Sequence, residues 1–207
     1  MNSLEKFNAL INDFIKPVLK KNGFIKSSLH FYKREEDFIK FISIEKSSWN
    51  TNENVKFSFN IHVFDFLAYK YIGEGEILPK LPVNTFYSII STDLSELSRQ
   101  KKDRYEISKE TEIDKLFSVI EKDIYNYIIP YIDKFNSKED LYHEYCAAGN
   151  EAWRARGTEL FAGIHEIEFG NKLSGISKIK NCQLRWSDND FWNNKLNKLI
   201  EKITNVV

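Results

Sequence analysis

Apolar residues recur at three- and four-residue intervals at the start of the chain: Leu4, Phe7, Leu10, Ile11, Phe14, Ile15, Val18 and Leu19. On a helix of 3.6 residues per turn these positions share one face, and that face must be buried. Lys20-Lys21-Asn22-Gly23 supplies the stop, because cations sit well on the last carbonyls and Asn or Gly accepts a left-handed conformation. Pro17 falls inside the pattern, removes one backbone donor and predicts a bend. After the turn the period changes to two. Phe24 to Lys33 mixes aromatic and polar residues, whereas Phe38 to Lys46 and Val55 to Asp65 are rich in the β-branched and aromatic residues that suit a pleated surface. In the last of these, Val55, Phe57, Phe59, Ile61 and Val63 alternate with Lys56, Ser58, Asn60 and His62, giving one apolar and one polar face. The polar connections, Arg34 to Asp37 and Ser47 to Asn54, are short enough for antiparallel neighbours.

Beyond the third strand, Phe66 to Pro82 contains Gly73, Gly75, Pro79 and Pro82 and reads as an irregular connection with a short strand at Ala68 to Ile72. Thr85 to Thr92 fits either a further strand or the first turn of a helix. Arg99 to Arg104 reads as a solvated basic loop. Glu112 to Phe135 carries the longest helical stripe, with Thr111 as cap, Asp114 reaching back, and Pro130 dividing it near Ile129. From Ser137 onward the chain reads as helical. Ser137 and Asp140 start a helix to about Ala148, Asn150 caps one from Glu151 to about Phe169, Leu173 to Cys182 forms another, and Asp188 or Asp190 caps the last. The expected fold class is α+β: an antiparallel β-meander of about three to five strands with long helices on one face, followed by a helical C-terminal region. A sheet domain over 1–136 and helices over 137–207 packed on it, as one compact unit, is the expected organisation.

Ile15-Lys16-Pro17-Val18-Leu19-Lys20-Lys21-Asn22-Gly23-Phe24, then Phe31-Tyr32, the run to Glu45-Lys46-Ser47, and Val55 to Ile61 together resemble the start of the bacterial family called domain of unknown function 4304. That pattern is a helix ending in Pro-x-Leu-Lys-x-x-Gly-Phe, a strand with a Phe-Tyr pair, a strand ending near Lys-Ser, and one ending in Phe-x-x-Asn. The likeness covers roughly the first third of the chain. Tyr105 stands where the family tends to have a Trp, with no second aromatic after it. The resemblance implies a fold and no activity.

At 207 residues the chain can bury about 70% of its unfolded surface. Thirty basic and thirty acidic residues cancel, so no global field draws in nucleic acid or an anionic membrane, and nucleic-acid binding is disfavoured. Cys146 and Cys182 make neither a disulfide framework nor a zinc pattern and read as free thiols. The start lacks a signal-peptide pattern and no apolar run approaches the ~20 residues of a membrane span, so a cytoplasmic protein without membrane is expected.

Candidate chemistry is sparse. His143, Cys146, His165 and Cys182 can be brought together on helices, but their spacing matches no common zinc pattern, so no metal site, cofactor or catalytic residue is assigned. The paired carboxylates Glu35-Glu36 and Glu166/Glu168 sit in charged runs that read as solvated. Ser58, Asn60 and His62 share the polar face of a strand, a rigid place from which side chains can meet a ligand. Trp49, in a loop of Ser, Asn and Thr, has the setting of an exposed binding anchor. The stretch from Lys172 to Trp186 holds Lys172, Lys178, Lys180 and Arg185 and no acid, which suits an acidic partner or weak nucleic-acid contact. The leading expectation is a non-catalytic, immunity- or adaptor-like module that binds another protein. A small-molecule or hydrolytic site around His62 is the alternative, with nucleic-acid contact at 172–186 the third.

Overall fold

The structure, a computed structural model, describes residues 1–73, 78–80, 87–88, 90–99, 104–147 and 154–205, with the backbone alone for 154–156. The expectations for Gly75, Pro82, Thr85, Phe86, Ile89, residues 100–103, the turn at 148–150, the helix start at Glu151, and Trp153 lie outside the described residues. The chain forms two compact units. One comprises Met1–Glu35, Ile39–Val63 and Ser91–Lys134; the other comprises Glu36–Phe38, Phe64–Ile90 and Phe135–Val207.

In the first unit, α1 (Ser3–Ala9) opens with a capping box, the Asn2 carboxamide accepting from the Glu5 N–H at 2.9 Å and the Glu5 carboxylate from the Asn2 N–H at 2.8 Å. The bend expected at Pro17 takes a specific form. Leu10–Ile15 winds as a π-helix, so the N–H of Lys16 bonds to Ile11, five residues back, before α2 (Lys16–Lys21) resumes with Pro17 in its first turn. The widened turn gives the proline ring room where an α-turn would clash. The same device recurs in the second long helix. There α5 (Ile113–Asp123) passes into a π-helical Ile124–Ile128, the N–H of Ile129 bonds to Ile124, and α6 (Ile129–Ile132) carries Pro130. Thr111 does not cap α5. Its hydroxyl accepts from the Ser108 N–H at 2.8 Å, closing the preceding turn instead, and Glu112 occupies the cap position.

The sheet runs β1 (Ile25–Ser27), β2 (His30–Arg34), β3 (Phe38–Lys46), β4 (Asn54–Asp65), β5 (Ile90–Asp93), with β6 (Tyr105–Ser108) also on β4. The mixed run at 24–33 is two strands and not one: Ser28 takes a positive φ of 55° at the turn, and Ile25 faces Tyr32 across the hairpin. A short helix, α4 (Leu94–Ser98), follows β5, the Asp93 carboxylate capping it by accepting from the Glu96 N–H at 2.9 Å, and β6 pairs antiparallel with β4 from Asn54↔Ser108 to Phe57↔Tyr105. The α+β meander expected from the pattern is what forms. Its apolar face and the two long helices make a single core containing Phe7, Ile11, Ile15, Phe31, Ile42, Phe57, Phe59, Ile61, Ile120, Ile124 and Ile128, all buried. Phe7 meets Phe57 edge-on at 5.2 Å and Phe14 meets Phe117 at 5.0 Å. Each such fully buried side chain contributes about 1.5–3 kcal/mol relative to exposure. Lys40 of β3 is also buried; its ammonium lies 3.7 Å from Glu35, and burial lowers its pKa against the raising effect of that carboxylate.

The second unit is helical. Residues 66–72 form α3 (Phe66–Ile72), not the irregular connection and short strand expected there, because the Asp65 carboxylate caps it by accepting from the N–H groups of Leu67 and Ala68 at 2.8 and 3.1 Å. α7 (Lys138–Ala147) starts with the expected Ser137/Asp140 box, at 3.2 and 3.0 Å. α8 (Arg154–Glu168) ends close to the expected Phe169, at Gly170, φ 88°, where the Asn171 N–H bonds to Glu166 and the Gly170 N–H to Ile167 in an αL stop. α9 (Lys172–Arg185) runs three residues past the expected end at Cys182. The last helix, α10 (Asp190–Asn205), is capped by neither Asp188 nor Asp190. The Asn189 carboxamide accepts from the Trp192 N–H at 3.1 Å and does that work.

Candidate functional site

The loop between β3 and β4 is tied down by its own polar residues. The Asn50 carboxamide donates to the Lys56 carbonyl at 2.9 Å and accepts from the Lys56 N–H at 2.8 Å, replacing a strand neighbour on both sides. Thr51 Oγ1 accepts from the N–H groups of Glu53 and Asn54, and the Ser47 N–H reaches back to Lys56 at 2.9 Å. The chain start anchors the same loop, with Ser3 donating from its N–H to Asn52 at 3.0 Å and from its hydroxyl to Glu53 at 2.6 Å. On this braced tip Trp49 is 90% exposed. A Trp presents 150–250 Å² of amphipathic surface with little side-chain entropy to lose, and a loop already ordered adds little further cost on binding.

The other predicted binding residues are not gathered in this way. Ser58, Asn60 and His62 occupy successive outward positions of β4 and are half-buried. Ser58 and His62 therefore stand about 13 Å apart along the strand. The His62 ring lies 5.9 Å from Phe41, which stacks on His30 at 5.1 Å, and its buried Nδ1 has no hydrogen-bond partner. Burial pushes its pKa down, Glu45 raises it and His30 adds to the fall.

On α9, Lys178 and Arg185 are seven residues apart and so share a face. Both are engaged by acids of α8, Lys178 with Glu166 at 3.5 Å and Arg185 with Glu159. Lys180 points elsewhere and is exposed, while the Trp186 ring lies tilted against Trp192, 4.9 Å between centres. Helical geometry thus disperses a cluster that is contiguous only in sequence.

One buried carboxylate of the second unit with several partners, Asp65, was not singled out from the sequence. Asp65 is fully buried, and while one oxygen caps α3 the other accepts from the Tyr145 hydroxyl and from His165 Nε2, both at 2.8 Å. The other ring nitrogen of His165, Nδ1, is buried without a hydrogen-bond partner. Tyr145 is held far above its usual pKa by burial and by the Asp65 charge. Beside it, Glu166 Oε1 accepts from the Tyr142 hydroxyl at 2.9 Å; Glu166 is buried, correcting the expectation of a solvated pair with Glu168. Asp, His and Tyr in contact are the materials of acid–base catalysis, yet Asp65 and His165 are 0% exposed and Tyr145 is 3% exposed. A substrate has no access to them, and the arrangement acts as an internal tie. The one legible signal was an Asp at the end of a strand before an apolar segment. Cys182 is buried and its thiol is pushed up to about 12 by burial, while Cys146 is exposed. Among the described residues no group of three or more His, Cys, Asp or Glu is placed to hold a metal ion.

An antiparallel sheet backed by two π-interrupted helices defines an α+β protein of the class the sequence suggested. The model of the family described as domain of unknown function (DUF4304) matches residues 15–134, more than half of the chain, and the chain belongs to that family. The match runs well past the first third, through Tyr105, which is buried against Phe57 and donates to Asp123 at 2.5 Å. No curated protein and no solved structure matches the chain. Among the described residues no helix is long and apolar enough to cross a membrane.

Proposed function

We propose that this chain is a non-catalytic interaction module that engages another protein through the β3–β4 tip, with Trp49 entering an apolar cleft on the partner. The observation that carries this reading is a large aromatic side chain, 90% exposed, on a loop whose backbone is braced by the Asn50–Lys56 pair. An exposed Trp that serves no packing role in its own chain is a frequent source of binding energy. The closed setting of Asp65, Tyr145 and His165 supports a role other than chemistry. Two thiols not bonded to one another suit a reducing, cytoplasmic setting.

The test compares the tagged chain with Trp49→Ala in capture from the lysate of the source cell, followed by affinity measurement on the purified partner. A hot-spot Trp predicts a loss of at least 2 kcal/mol, about thirtyfold in Kd, with an unchanged melting temperature. Equal affinity of the two proteins for the captured partner would remove Trp49 from the interface and this reading with it.

A further inference from the structure

The second unit carries a basic groove along α10 that the residues singled out from the sequence do not include. Lys195, Lys198 and Lys202 follow at three- and four-residue intervals and line one cavity of about 410 Å³, with Tyr71 and Gly73 at the end of α3. At 1.5 Å per residue the stripe is about 10 Å long. A neighbouring cavity of about 270 Å³ shares Tyr71 and Lys202 and adds Lys70 and Lys172. The floor is apolar: Ile72 and Leu199 in the first cavity, Ile167 and Ile203 in the second. Phe191, 60% exposed, stands at the rim with the Lys195 ammonium 5.3 Å from its ring centre. Among the described residues, Lys70, Lys195, Lys198 and Lys202 have no carboxylate partner. Glu168 is near enough to act on Tyr71.

We propose that this groove binds an extended acidic segment of another polypeptide, its carboxylates along the lysine stripe and an apolar side chain against Phe191. Charges spread over about 10 Å match three or four residues of extended chain, at about 3.4 Å per residue. A lone phosphate calls for donors that converge, as a nest of backbone N–H groups or an arginine fork does, and lysines in a row offer neither. Nucleic acid would have a polar backbone against an apolar floor, on a protein whose formal net charge is zero. Lys172 and α10 lie outside the stretch matched by the family model, whereas Lys70, Tyr71, Ile72 and Gly73 lie inside it. Trp49 belongs to the other unit, and either reading can fail without the other.

The experiment is fluorescence anisotropy with the full chain and a dye-labelled peptide of alternating Glu and Leu or Phe. The competitors are the same peptide with Lys for Glu, a single-stranded oligonucleotide, and inorganic phosphate. The proposal expects binding that weakens with added salt and falls at least tenfold when Lys198→Glu and Lys202→Glu are combined. Both side chains are exposed, so the melting curve should stay in place; Lys198→Ser alone serves as the milder variant. Trp49→Ala should bind the peptide as the natural chain does. No binding at low salt, binding indifferent to the charge reversals, or displacement by the oligonucleotide or phosphate at lower concentration than by unlabelled peptide would each overturn it.

Discussion

His62 illustrates what a single position on a sheet face can and cannot say. The alternation of β4 places it opposite the apolar face, and it is there, but half-buried against Phe41 and with a pKa below 6.5. The unfolded chain therefore binds a proton at this site before the folded one does as pH falls, so the stability it supports is present above pH 6.5 and is lost progressively below it. Urea midpoints measured between pH 7 and pH 5 should decline, and the decline should be shallower in His62→Gln; parallel curves would show that His62 carries none of it. Trp49 was legible because its neighbours are Ser, Asn and Thr, which favour a loop and cover nothing. Asp65 and Glu166 were not, because a carboxylate reads as solvated until its Tyr and His donors are known to arrive, from 80 and 100 residues away for Asp65.

Among elements, the crossing of α8 and α9 depends on two glycines that have no turn to make. A Cβ on Gly163 would lie 2.9 Å from the Gly175 carbonyl, and one on Gly175 would run into the Gly163 carbonyl and Ile167. Gly to Ala inside a helix ordinarily gains about 1 kcal/mol from propensity. Here overpacking opposes it, at about 1–3 kcal/mol, and Gly175→Ala should lower the denaturation midpoint, whereas a raised midpoint would mean the helices part without cost. The long helices were legible from their stripes and each proline interruption from the ring itself. The π-turn ahead of each was not, since it is one of several ways to accommodate a missing donor. α3 was misread because seven residues are too few for either period to dominate, and the deciding cap is a single side chain.

For the molecule as a whole, equal numbers of acidic and basic residues leave little repulsion between copies. Solubility should pass through a minimum close to neutral pH and rise on both sides, which light scattering across a pH series can check; a monotonic curve would contradict it. With no net field, binding rests on local features, an exposed Trp in one unit and a lysine groove in the other. By itself the sequence determined the first helix, the strands at 38–46 and 55–65, the long helix before residue 135 and the helical C-terminal region, together with the sheet's apolar face and the family, because periods of 2 and 3.6 and the motifs of residues 15–61 are local properties of the chain. The tertiary structure alone decided which polar groups are buried together and where lysines from positions 70, 172, 195, 198 and 202 meet. Those neighbours are set by the packing of helices distant in the chain, and no local period records it.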